Sequence, residues 1–315
     1  MRDTGIDAYR CLLMFGICLL HAIVQGGHNV PWAANMLSWC VTGFAFISGW
    51  FGIRFSVGKV LKLYGISLYC ATMFVMFDMF VSGGGGNFLI TIYKMATSQW
   101  YLNAYVVVMC IAPIINLASD RITVKELFPL LLCAFGWSFA TTLPYVGGRV
   151  PHAHGLEAYS FLTLLGAYVA ARTLRMLDNN GKLNFLQGHN AWILMGACLC
   201  LMMSALGLND FNSPFSLLLA GGFLLLMRNL KMPHWLGHAF AWLGPSMFSV
   251  YLLHSHEHAW KYLKVVQDWS LSIGMPLGIA YLVTAMTVFL VCILADVPRR
   301  IFAAGTGRFF KTIVH

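Results

Sequence analysis

The chain has 315 residues, of which 59% are hydrophobic and only 10% charged. With a mean hydropathy of +0.73, no water-soluble domain of this size could hide its apolar surface, and collagen, coiled coils, disordered tails and disulfide-stapled secreted folds are excluded. The formal charge of +9 would suit nucleic acid in a soluble protein, but in a membrane chain basic residues first report orientation, so no nucleic-acid partner is expected.

The fold class expected is all-α, a polytopic helical bundle whose first partner is the lipid bilayer. Crossings of about 17 to 25 apolar residues fall near 6–25, 35–53, 63–82, 99–118, 127–143, 156–172, 189–208, 213–229, 239–256 and 272–294. That makes about ten transmembrane helices in one integral-membrane domain over 1–315, with no soluble domain and no internal repeat. Asp7 and Arg10 interrupt the first apolar run and no small-residue cleavage site follows His21, so this run is read as a retained helix rather than a signal peptide.

Ionisable groups inside a span are costly and are functional candidates. In the first helix Asp7 and Arg10, at i and i+3, are placed to form an ion pair. Arg10 and His21 are eleven residues apart, close to three turns, so they share a face about 16 Å apart along the axis. His21 has an ordinary imidazole pKa near 6.5 and can serve as base, nucleophile or donor; packing between helices is the plainer alternative.

After the second crossing come Arg54, Lys59 and Lys62, with the two lysines on one helix face. They suit a polyanionic ligand such as a nucleotide phosphate, although orientation alone also explains them. The stretch 84–98 is too short and polar to span, and Gly83–Gly86 reads as an outer loop. His152, His154 and Glu157, with Glu257 further along, are acceptor-side candidates for a polar substrate, or simply solvated loop residues.

The ninth crossing ends in SVYLLH, where Tyr251 and His254 are candidate catalytic residues. His254 lies as far past position 239 as His21 past position 6, so the two imidazoles are expected at similar depth. Alternate spacing puts His254, His256 and His258 on different sides of a helix, and no metal is expected. His234 and His238 read as headgroup contacts. Trp32, Trp39, Trp100, Trp260 and Trp269 fall near predicted ends, where indole favours the interface. The nine cysteines form no CxxC pair and read as small core residues.

With both termini cytoplasmic, only Lys94, Arg149, Lys261 and Lys264 fall outside, Arg10 lies within the first helix, and every other basic residue is inside. The sequence contains no P-loop, no GxGxxG after a strand and no GxSxG elbow.

The stretches IDAYRCLLMFGICLLH (6–21), FAFISGWFGIRFSVGKVLKLY (44–64), WYLNAYVVVMCIAPIINL (100–117), SFLTLLGAYVAARTLR (160–175) and LGPSMFSVYLLH (243–254), in this order, resemble acyltransferase family 3, the multi-span bacterial O-acyltransferases of cell-surface and exported glycans. The resemblance implies acyl-CoA, most simply acetyl-CoA, as a cytoplasmic co-substrate, with no permanently bound cofactor. It also implies a hydroxyl acceptor, usually a glycan, and a location in the bacterial cytoplasmic membrane. It makes His21 catalytic and maps the first-helix arginine onto Arg10. The family's Arg-x-x-Arg pair becomes Lys59 and Lys62, which keep the charge but lose the bidentate fork. No appended hydrolase-like domain is expected, so the chain would complete the transfer itself or use a glycan-assembly partner. The acceptor, the acyl chain, homo-oligomer formation and the choice between general base and acyl-histidine stay open. The rivals are a secondary transporter or exporter, against which the lack of two related halves counts, and an inactive scaffold subunit.

Overall fold

Helix is the only regular structure among the described residues, the solution expected where backbone groups must pair internally for want of water. The computed structural model describes residues 3–28, 30–83, 87–119, 121–123, 125–126, 129, 132–133, 157–186, 189–208 and 213–313. The expected fifth crossing, apart from residues 129, 132 and 133, lies outside them, as do His152, His154 and Gly84–Gly86.

In chain order the helices are α1 (Thr4–Gln25), α2 (Pro31–Leu37), α3 (Trp39–Phe51), α4 (Val57–Ser82), α5 (Phe88–Thr97), α6 (Trp100–Ser119) and α7 (Glu157–Asn179). There follow α8 (Asn190–Met203), α9 (Pro214–Asn229), α10 (His234–Leu243), α11 (Met247–His254), α12 (Glu257–Ser272) and α13 (Leu277–Ile313). Four are long and apolar enough to cross a membrane: α1, α4, α6 and the Leu277–Ala304 part of α13. Shorter apolar helices cover Phe88–Thr97, Asn190–Leu206 and Pro214–Asn229.

Two of the expected crossings are broken helices. The 35–53 window divides at Ser38 into α2 and α3, and the 239–256 window divides at a 3-10 turn, Gly244–Ser246, into α10 and α11. Pro245 supplies no backbone N–H and so interrupts the ladder in the second case. The last helix starts later than expected and runs on past Asp296, because that buried carboxylate accepts two bonds from Arg299, at 2.6 and 2.9 Å, within the same helix. A short helix, α5, occupies most of the 84–98 stretch.

The first helix is the centre of the bundle. In its most apolar window 72% of the residues are buried, against 28–39% in the other three candidate spans, so it faces protein where they face lipid. It packs against α2, α3, α9, α10, α11, α12 and α13. Asp3 starts it by accepting from the backbone N–H groups of Gly5 (3.0 Å) and Ile6 (3.3 Å), a side-chain N-cap. At its other end the buried Gln267 of α12, with its amide nitrogen turned inward, donates to the carbonyls of Ala22 (3.2 Å) and Gly26 (3.1 Å). The helix that carries the candidate residues is thus pinned at both ends.

Helix α3 runs antiparallel to α1, since Gly16 packs on Cys40 and Gly43 on Leu13 and Tyr9. The turn after α3 therefore lies at the Arg10 end of the bundle. Trp39 is not an interface marker as expected: it is buried and stacks on Phe223 with ring centroids 4.8 Å apart. Trp32 and Trp269 are exposed, as residues in the headgroup layer would be.

Candidate functional site

Two groups of polar residues are built into the bundle, one toward each end of α1. The first begins with Asp7, which is 1% exposed and accepts from the Arg10 guanidinium at 3.2 Å. This is the i, i+3 pair expected from the sequence. Arg10 remains 38% exposed, so it retains donor capacity for a ligand.

The turn from α3 to α4 stands at the same end and is fixed by a closed network. The Ile53 N–H donates to the Tyr168 hydroxyl (2.8 Å), which donates to Asn116 Oδ1 (2.7 Å), and Asn116 Nδ2 donates back to the Ile53 carbonyl (2.9 Å). Gly52 begins this turn at φ +74°, a left-handed backbone that favours glycine. Arg54, Lys59 and Lys62 follow and are exposed, with Lys59 Nζ donating to the Arg54 carbonyl at 3.0 Å. The three cations share an end of the bundle with Arg10, but no hydrogen bond or ion pair joins them to it.

A cluster that sequence reasoning used only for orientation lies nearby. Arg175 and Arg228 stand 4.9 and 5.3 Å from the ring of the buried Trp50, and both pair with Asp178. Gly5 packs against the carbonyl of Met227, which places Arg228 beside the start of α1. No signal in the sequence links Trp50 to these arginines, which come from α7 and α9.

The second group gathers at the other end. His21 of α1 and His254 of α11 lie with ring centroids 5.0 Å apart, so the similar depth expected from the sequence becomes direct proximity. His254 is 2% exposed, and its Nδ1 lies 2.6 Å from the Val250 carbonyl. A carbonyl only accepts, so Nδ1 carries the proton and Nε2 of the neutral ring presents a lone pair. That Nε2 is sealed from solvent and has no partner. His21 Nδ1 is sealed and unpartnered too, while His21 as a whole is only partly buried, and its Nε2 is not among the sealed atoms.

Trp260 of α12 completes the cluster, with its ring 6.5 Å from that of His21 and its Nε1 buried without an acceptor. Trp260 stands near a helix end, as the sequence reading has it, and is half-buried with its ring turned toward His21. The amphipathic pattern of 257–272 does carry a signal, because Ala259, Leu263, Gln267 and Ser270 form the buried face of α12.

Tyr251, one turn before His254, is buried and its hydroxyl is unpartnered. Its ring meets Tyr101 of α6 edge-on at 5.6 Å. Beside it Ser255 donates to Gln99 Oε1 at 3.0 Å, tying α11 to the start of α6. Buried polar groups in native proteins nearly always have partners, and each that lacks one costs about 1–3 kcal/mol. Three such atoms, on His21, His254 and Trp260, belong to one cluster and leave it able to accept and donate hydrogen bonds.

Glu257 is exposed in the first turn of α12. Glu157 begins α7, and its side chain is outside the described residues, as are His152 and His154. His234 and His238 are exposed, with rings 4.4 Å apart. His256 caps α12: its Nδ1 accepts from the His258 N–H at 3.3 Å, and its Nε2 lies 3.4 Å from Ser98 Oγ. Burial, with the neighbouring His258, holds the His256 imidazole below the ordinary histidine range despite the opposing pull of Glu257.

The arrangement can take a proton from a polar group at His21 with His254 behind it, donate a hydrogen bond from Trp260, and hold anionic groups at the opposite end. A family model described as an acyltransferase domain matches residues 3–296 of the chain. No curated protein and no solved structure matches it significantly.

Proposed function

The chain belongs to acyltransferase family 3, and on that premise we propose that it moves an acyl group, most simply acetyl, from acyl-CoA to a hydroxyl of a cell-surface or exported glycan. The family and the apolar helices together make it a multi-pass membrane acyltransferase. The observation that carries the finer reading is the His21–His254 pair, in which one ring is held as a fixed acceptor and the other is unconstrained.

A small turn of His21 would bring its Nδ1–H to Nε2 of His254, so that the Val250 carbonyl, His254 and His21 form a relay. His21 Nε2, the accessible nitrogen, then acts as general base. It takes the proton of the acceptor hydroxyl as the oxygen attacks the thioester carbonyl; the carbon–sulfur bond breaks, and the leaving CoA sulfur receives the proton. Apo geometry of this kind is commonly loose and tightens with substrate. Trp260 Nε1–H is the donor available to the carbonyl oxygen as it becomes negative. Arg10, with Arg54, Lys59 and Lys62 at the same end, suits the phosphates of the donor. The separation of Arg10 and His21 along α1, about 16 Å, matches an extended pantetheine arm.

A second reading is favoured by the Val250 bond itself, since a histidine with a fixed Nδ1–H and a free Nε2 is a standard base. There His21 Nε2 attacks the thioester carbonyl and CoA leaves as the thiolate; the acceptor oxygen then attacks the acyl carbon as His254 Nε2 takes its proton, the carbon–nitrogen bond to His21 breaks, and the proton passes to the thiolate. Burial of His254 argues for the first reading, because the acceptor reaches His21 more easily. The donor side puts the test simply: purified protein in nanodiscs should bind acetyl-CoA and release its thiol slowly, and Arg10→Gln should weaken binding about tenfold or more. A parent protein that neither binds nor consumes acetyl-, succinyl- or longer acyl-CoA would leave the reading without its chemistry.

A further inference from the structure

Tyrosines in this bundle are given partners. The hydroxyl of Tyr9 donates to the Ala220 carbonyl (2.8 Å), that of Tyr69 to the Ala295 carbonyl (2.9 Å) and that of Tyr262 to Asp78 (2.6 Å), while Tyr105 pairs with Ser48 (3.2 Å). Tyr101 and Tyr251 depart from this pattern. Both hydroxyls are sealed from solvent and neither makes a well-formed hydrogen bond, that of Tyr251 only approaching Ser255 and the Tyr101 backbone, although Phe would fill either position without an orphaned polar atom. Their rings touch edge-on at 5.6 Å, so the two orphans belong to one place on facing helices, α6 and α11.

That place lies between the two ends already described. Tyr251 is one turn from His254 toward the Arg10 end. Tyr101 stacks on Tyr105, one turn further along α6, at 6.2 Å. Helix α6 runs on from there to Asn116, which holds the turn before Arg54. A chain reaching from phosphates at the Arg10 end to a thioester at His21 would have to pass at the level of these rings.

Resting on the acyl-transfer reading, we propose that Tyr101 and Tyr251 hold the amide groups of the donor's pantetheine arm. An amide presents one N–H and one carbonyl, and a phenol can donate to the second or accept from the first. The two tyrosines therefore recognise the arm, whereas the cations recognise its phosphates and His21 meets its thioester. An N-acetylated sugar acceptor carries the same amide chemistry, and the experiment separates these two sources.

The test compares the parent with Tyr101→Phe and Tyr251→Phe in nanodiscs, using acetyl-CoA, adenosine 3′,5′-bisphosphate and N-acetylglucosamine as probes. Each Phe variant should bind acetyl-CoA about tenfold more weakly, as for a lost buried hydrogen bond, and bind the armless bisphosphate as the parent does. Without donor, both variants should melt no lower than the parent, since an unsatisfied hydroxyl has been removed. Unchanged acetyl-CoA affinity in both variants, with a parent that binds it, overturns the tyrosine assignment and leaves the acyl-transfer reading standing. Loss of N-acetylglucosamine affinity with acetyl-CoA affinity unchanged overturns it in favour of the acceptor. A parent that binds no acyl-CoA overturns both.

Discussion

His21 and His254 come from opposite ends of the chain, and their value lies in being unequal. The Val250 carbonyl fixes the tautomer of one and no hydrogen bond holds the other, which in the proposed reading makes His254 the acceptor behind His21 as base. Trp260 adds the donor. Trp260→Phe keeps the aromatic packing and deletes only Nε1–H, so turnover should fall by about 10–100-fold with donor affinity within twofold of the parent, as for a group that acts on developing charge. Steady-state thiol release with added acceptor measures both quantities; equal turnover would remove Trp260 from the reaction. His256 makes a different prediction. A histidine whose folded pKa is depressed adds stability above its ordinary value of 6.5 and loses it as pH falls through the lower folded value. Melting temperature should therefore drop on acidification below pH 6.5, and His256→Asn, which can still cap α12 but cannot titrate, should flatten that part of the profile.

At the scale of the element, the site depends on helices brought close enough for their side chains to meet. Gly49 of α3 lies against the backbone of α7 at Tyr168 and against Ala171, so that an added Cβ would strike main chain that cannot step aside. Small residues at such crossings let helix backbones approach within a membrane. Gly49→Ala should cost about 1–3 kcal/mol by forcing the two helices apart, and it should also weaken donor binding by disturbing the Tyr168 network that holds Ile53. Gly65 of α4 meets nothing within 4 Å, so Gly65→Ala should be neutral or slightly stabilising through helix propensity. Thermal unfolding of the two variants side by side makes the comparison; equal effects would mean that the α3–α7 crossing is not tight.

At the scale of the whole molecule, what could be read from the sequence was what lies along one helix. The Asp7–Arg10 pair follows from a spacing of three, and the common face of Arg10 and His21 from a spacing of eleven. The meeting of His21 with His254 follows only because both helices could be placed by depth. The approach of Trp260 to His21 was not legible, because hydropathy marks an indole at a helix end but not what it turns toward. Tyr101 carried no signal and Gln267 only its place on the amphipathic face of α12, since their roles exist only across α6–α11 and α1–α12 contacts. The broken helices were hidden for a similar reason: windows of even hydropathy run through Ser38 and Gly244–Pro245, while backbone geometry divides there. The number of crossings rests on the apolar windows of the sequence, and the side of the termini on its charge distribution.

The most direct measurement is acyl transfer by the parent protein beside His21→Gln and His254→Gln, each in nanodiscs and each shown to bind acetyl-CoA. With His21 as base and His254 behind it, His21→Gln should lose about 10²–10⁴-fold in turnover, the usual range for a general base, and His254→Gln should lose less, with acetyl-CoA affinity unchanged in both. Parental turnover in His21→Gln, from protein that still binds the donor, would contradict the assignment of the histidine pair as the chemical centre.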